Sequence, residues 1–203
     1  PWQRTGGSGA YIDLKGMEGF TGMYVCEIPP GGALNPESHL YEELIYILSG
    51  FGATEIWSAG DDRRKMHFEW QQGSLFAVPL NSRHRMINGS REPVFFLAVT
   101  SAPLMIDLLH NMPLVMGSDY KFGDRFDGES NYFVPTNTRK QVGGFINWET
   151  NFIADARGAL VDPSEAKGFG VKITSFDMGG STLVGHIAEW PVGRYHKAHF
   201  HQG

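Results

Sequence analysis

The stretch Pro36 to Gly50, PESHLYEELIYILSG, decides how this chain is read. It sets one histidine and three carboxylates at the head of an apolar run. Side chains on an extended strand alternate faces, so residues two apart point the same way. Glu37 and His39 have that spacing. After a short gap that a turn can fill, Glu43, Ile45 and Ile47 form a second same-face set running into the core. Glu42 points away from Glu43 and is expected to be a surface charge.

Working outward, short aromatic and β-branched runs are separated by Gly, Pro, Asn and Asp, as in an all-β chain. Strands are expected at Gly22–Ile28, Glu43–Leu48, Ala53–Trp57, Lys65–Trp70, Ser74–Val78, Arg83–Ile87 and Pro93–Thr100. That density of short strands suits a sandwich or small barrel. Residues 103 to 112 read as a helix that Pro113 ends, and Val171–Phe176 and Thr182–Trp190 read as later strands. The resulting division is an arm at 1–20, a barrel at 21–115, a polar connector at 116–144 and a further unit at 145–203.

The 203 residues carry a net charge of −5, so there is no basic footprint for nucleic acid. No apolar run is long enough to span a bilayer as a helix. The single Cys26 cannot form an internal disulfide, and no secretory signal is visible, so a cytoplasmic location is expected.

Two spaced motifs flank the barrel strands. The first runs Gly31, five residues, Glu37-Ser38-His39, three residues, Glu43, six residues, Gly50. The second runs Gly73, five residues, Pro79-Leu80-Asn81, two residues, His84, three residues, Asn88. These residues resemble the two motifs of the cupin superfamily at matching spacing. Glu37 stands where the first histidine of a His-x-His pair is usual, and Asn81 where a glycine is usual. Asn also tolerates positive φ, so that second departure is mild.

The resemblance implies a double-stranded β-helix, or jelly-roll barrel, holding a divalent metal on Glu37, His39, Glu43 and His84. Iron or manganese suits mixed oxygen and imidazole donors, with zinc or nickel as alternatives. Glu37 is a fourth ligand, a general base beside a three-ligand metal, or a solvated acid at the barrel mouth. A buried Glu43 without a cation would be costly, which favours ligation over a structural role. Tyr41 either lines the pocket mouth or packs in the core. Arg83 and Arg85 flank His84, and are either rim groups for a carboxylate or solvated charges. Trp57, Trp70 and the Phe95-Phe96 pair read as core or interface, Cys26 as a small buried side chain, and His67 and His110 as lacking ligand partners.

The chain also repeats itself. Ala188–His201, AEWPVGRYHKAHFH, aligns with Cys26–His39, CEIPPGGALNPESH, at a constant offset of 162 positions (189 − 27 and 201 − 39). Glu37 then falls on His199 and His39 on His201. This is an internal repeat. It is similar to the opening of a second cupin domain, which makes an incomplete second cupin over 145–203 the expectation, as part of a bicupin protein.

Bicupins of this layout include ring-cleaving dioxygenases. The functional expectation is therefore an iron-dependent dioxygenase for a small aromatic or enolic acid. A manganese- or zinc-dependent decarboxylase, isomerase or amidohydrolase is the alternative, and a non-catalytic binding cupin the third. The expected partners are a small-molecule substrate and further copies of the chain, with no nucleic acid and no membrane.

Overall fold

Period-two alternation along strand β3 (Glu43–Ser49) organises the molecule. Ile45 and Ile47 face the main core, while Leu44 and Tyr46 face a second apolar cluster on the other side. A strand buried on both faces reads as a near-continuous apolar run, as ELIYIL does.

The protein is described by a computed structural model covering residues 2–164 and 169–194. Strands β1 (Ser8–Ile12), β2 (Gly22–Ile28), β4 (Phe51–Trp57), β5 (Met66–Gln71), β6 (Leu75–Val78), β7 (Arg83–Asn88) and β8 (Val94–Thr100) join β3 in two sheets. The short β11 (Phe152–Ile153) completes the larger one, whose order is β1-β2-β8-β3-β6-β11. The smaller has the order β5-β4-β7. Ile28, Ile45, Phe76, Val94 and Phe96 from the first sheet pack against Ile56, Trp70 and Met86 from the second. This is the expected jelly-roll barrel, and all seven expected barrel strands form within one to two residues of their expected limits.

Gly50 makes the tight link between β3 and β4. Its φ is +84°, and a Cβ there would lie 2.5 Å from a methyl of Val94. Only glycine meets both demands without strain.

The helical segment differs from expectation. Helix α1 (Ala102–Leu109) stops where His110 turns left-handed, at φ 45°, and donates its N–H to the Ile106 carbonyl. A second helix, α2 (Met112–Gly117), follows at once. Pro113 opens this helix rather than ending the first, because a missing N–H costs nothing in a first turn. Asn111 caps it by accepting from the Leu114 N–H at 3.1 Å.

Three expectations need correction. The 1–20 arm is partly strand, with β1 paired antiparallel along β2 from Ser8↔Glu27 to Ile12↔Met23. The 116–144 segment is more than a connector. Phe126 and Phe133 insert into the main core, and Phe133 stacks on Phe68 at 3.8 Å. The same segment buries Glu42, expected at the surface, against Arg125 at 2.8 Å. Glu42 does point away from Glu43, but that side of the sheet is covered.

The cover is a four-stranded sheet of order β13-β12-β10-β9, built from β9 (Thr138–Val142), β10 (Phe145–Glu149), β12 (Lys172–Asp177) and β13 (Gly185–Glu189). Phe176 and Met178 from this region pack on Leu44, Leu75 and Ala77. Where the internal repeat falls on described residues, the two copies share three local features. β13 occupies the position equivalent to β2 and pairs antiparallel with the strand before it, as β2 does. The Arg194 N–H reaches the Pro191 carbonyl at 3.1 Å, as that of Gly32 reaches Pro29 at 2.9 Å. Gly193 and Gly31 both have positive φ. His199 and His201 lie outside the described residues.

Candidate metal centre

His39 lies in the loop before β3, Glu43 opens β3, and His84 is the second residue of β7. The two sheets therefore bring the three together inside the barrel. Glu37 is tied to β7 by a backbone bridge, each of Glu37 and His84 donating its N–H to the other's carbonyl at 2.9 Å. Asn81, at the motif position where glycine is usual, adopts a φ of 56° as expected. Its side chain adds two bonds that glycine lacks, donating to the carbonyls of Ser118 and Tyr120 at 3.1 and 2.8 Å.

His39, Glu43 and His84 are each almost wholly buried. Their ligand atoms lie within 4.8 Å of one another, forming a group of three that could hold a metal. The Nε2 atoms of His39 and His84 lie 3.3 and 3.8 Å from the same Glu43 oxygen, Oε2. The other nitrogen of each ring, Nδ1, faces a backbone carbonyl: Tyr41 at 2.9 Å and Ser82 at 3.1 Å. A carbonyl only accepts, so each Nδ1 carries the proton in the neutral ring and each Nε2 presents a lone pair. Two lone pairs and a carboxylate oxygen thus converge on one buried point. That arrangement is repulsive without a cation and fits a divalent metal.

The second Glu43 oxygen, Oε1, accepts from the Tyr24 hydroxyl at 2.5 Å. Burial pushes the Glu43 carboxyl up. In the metal-free chain at acid pH, where the imidazoles are protonated and Nε2 carries a hydrogen in place of the lone pair, the hydrogen bond and charge of His39, the charge of His84 and the Tyr24 bond together outweigh this and hold its pKa at about 2. Burial, with repulsion from His39 once that ring is protonated, lowers His84 to about 4, so it is neutral at pH 7 and able to ligate. The Tyr41 ring stacks face to face on His39 at 3.7 Å, which fixes the imidazole plane.

Glu37 is not among the three clustered groups. Its carboxylate is ion-paired with Arg4 of the N-terminal arm. It does line, with Glu43, His84 and Tyr24, a closed cavity of about 10 Å³. That is room for about one water-sized sphere. Arg85 is engaged elsewhere, on Glu55 at 2.5 Å, and His67 takes the other Glu55 oxygen at 3.0 Å. Arg83 lines an outer cleft of about 720 Å³ beside Glu37 and Ser38. Tyr24 and Arg4 escaped sequence reasoning. Tyr24 was legible, because it shares the face of Cys26 and Ile28 along β2. Nothing in the sequence marked Arg4.

A jelly-roll barrel with two histidines and a glutamate at its interior defines the class. The family described as Cupin matches residues 14–122, over half of the chain, and the protein belongs to the cupin family. No curated protein matches. Among solved structures, the chain is similar to oxalate decarboxylase from Lactobacillus farciminis in its formate complex, at 22% identity and a TM-score of 0.43. That match covers 56% of this chain and 38% of the other. Vicilin from hazelnut, Corylus avellana, matches at 17% identity and a TM-score of 0.41, covering 48% of this chain and 29% of the other. An oxalate oxidase matches at 17% and 0.42, covering 48% and 51%. The chain therefore spans between about a third and a half of the length of these relatives, and the likeness is one of fold. Among the described residues, no helix is long and apolar enough to cross a membrane.

Proposed function

We propose that this cupin is a metal-dependent enzyme, and specifically a non-haem iron dioxygenase for a small aromatic or enolic acid. The observation that carries this reading is the convergence of two Nε2 lone pairs on a buried Glu43 oxygen. His39, Glu43 and His84 are the residues that would hold the ion. Two histidines and one carboxylate form the donor set of many non-haem iron oxygenases. Iron bound there would supply redox chemistry with oxygen, whereas manganese, zinc or nickel would supply Lewis-acid polarisation.

The surrounding residues support catalysis in three ways. Tyr24 restrains Glu43. Ile45, Met86 and Phe96 line the cavity and keep water scarce. Glu37 lines the same cavity and would accept a proton from a substrate hydroxyl or carbon acid.

Glu37 also favours the second reading, an oxygen-independent decarboxylase, isomerase or amidohydrolase, since each needs a proton moved beside a Lewis acid. Elemental analysis of anaerobically purified protein, followed by oxygen-uptake assays on gentisate, catechol and a flavonol, separates the two. Stoichiometric iron with oxygen consumption supports the dioxygenase. Manganese or zinc with anaerobic turnover supports the second reading. Neither metal nor turnover would leave a binding cupin.

A further inference from the structure

A third cavity lies beside the metal centre, across Tyr24 and Tyr41, and points to the substrate's chemistry. Its volume is about 670 Å³, within the range of small-molecule sites. It is an open groove lined by Trp2, Tyr11, Tyr24 and Tyr41, with Ile106 and Met116 on its border. Tyr24 and Tyr41 form the partition, because each touches a member of the centre on its other side. Trp2 stacks on Tyr11 at 5.3 Å and meets Tyr24 edge-on at 5.4 Å, so the N-terminal arm builds one wall.

One cation, Arg4, lines this cavity. The arm backbone around it is anchored: the Asn35 N–H donates to the Thr5 carbonyl at 2.8 Å, and the Asn35 side chain to the Arg4 carbonyl at 3.2 Å. The guanidinium is ion-paired with Glu37 and 3.5 Å from the Tyr41 hydroxyl, yet the side chain remains 41% exposed. The Glu37 side chain is only 9% exposed, so the open part of the pair is the guanidinium, which an incoming anion can reach. The cavity's acids, Asp13 and Glu18, are both solvent-exposed and repel an anion from their part of the wall.

We infer that this cavity binds an aromatic carboxylic acid, with its carboxylate on Arg4 and its ring among the tyrosines. Resting on the proposed metal centre, the inference adds an exchange: the incoming carboxylate displaces Glu37 from Arg4. The displaced Glu37 carboxylate is then free, beside the inner cavity, to accept a proton. Arginine suits the task because its planar fork matches a carboxylate.

The test is calorimetric titration under argon with 2,5-dihydroxybenzoate and with hydroquinone, which is the same ring without the carboxylate. Wild type should prefer the acid by at least tenfold. Arg4→Gln should lose that preference while binding hydroquinone as before, and Arg4→Lys should restore part of it. Glu37→Gln should tighten the acid several-fold by removing Arg4's competitor, an effect a merely structural residue would not produce. Equal binding of both probes by wild type, a preference that survives Arg4→Gln, or no binding of the acid overturns the inference. Titrating metal-free protein separates this from the metal reading. An Arg4-dependent preference in a protein that takes up no metal would sink the metal centre alone.

Discussion

The Tyr24 hydroxyl and the Nε2 atoms of His39 and His84 divide the Glu43 carboxylate between them: Tyr24 holds Oε1 at 2.5 Å, and the imidazoles face Oε2. One oxygen is thereby committed to a protein donor and one is left for an ion. Burial together with the Glu43 charge raises the pKa of this phenol well above that of a free tyrosine. It therefore remains a donor throughout the physiological range. Partners that orient a ligand in this way commonly matter about 10- to 100-fold for metal affinity. Tyr24→Phe should weaken metal binding by about that factor and leave the fold intact. Chelator competition monitored by metal release checks it, and unchanged affinity would mean that Tyr24 merely packs.

The ligands themselves give a sharper expectation. Glu43→Gln and His84→Ala should each abolish stoichiometric metal while circular dichroism still reports a folded β protein. Glu37→Ala should retain the metal, because Glu37 sits on Arg4 rather than in the group of three. Metal lost from Glu37→Ala, with the fold preserved, would show that Glu37 turns inward to ligate.

Acid should act on the metal-free protein through the same cluster. His84 falls from an ordinary 6.5 to about 4 in the folded chain. The unfolded chain therefore binds a proton below about pH 6.5 that the folded chain refuses until about pH 4. Stability should fall as pH drops through that window, by at most about 1.4 kcal/mol per pH unit for one group. Glu43, lowered from 4.5 to about 2, has the same sign further down: its contribution is lost as pH falls from about 4.5 towards 2. Urea midpoints of chelator-treated protein between pH 7 and pH 4.5 test this, with His84→Gln expected to flatten the profile. A wild-type midpoint that does not move would contradict the buried neutral imidazole.

On the outer face of the barrel, Arg125 donates to Glu42 at 2.8 Å and to the Gly179 carbonyl at 2.9 Å. Arg125→Met removes both bonds and leaves a buried carboxylate without its cation. The expected loss is about 1–3 kcal/mol, read as a lower urea midpoint with metal content unchanged. An unaltered midpoint would mean that water reaches Glu42.

How much was legible depended on the kind of signal. The barrel strands could be placed because each is short, alternates or is wholly apolar, and ends at Gly, Pro or Asn. β9 and β10 escaped notice, since TRKQV carries little apolar pattern and FINWE does not alternate; β9 is held by pairing with β10, which pairs in turn with β12. β11 is only two residues long and exists because Phe152 and Ile153 pair with Phe76 and Leu75. The positive φ of Asn81 could be anticipated from its motif position, but its partners Ser118 and Tyr120 could not.

Local chemistry therefore determined a good deal by itself: the barrel, the face shared by Glu43, Ile45 and Ile47, and the candidacy of His39, Glu43 and His84. Strand parity and motif spacing are properties of neighbouring residues, so a linear chain displays them. Tertiary structure alone decided that Tyr24 restrains Glu43, that Arg4 holds Glu37, and that Glu42 is buried rather than exposed. Those contacts join residues 19, 33 and 83 positions apart. No local periodicity encodes such pairings. They arise when the sheets close, the arm lies across the barrel mouth, and the 116–144 segment folds back over the outer face.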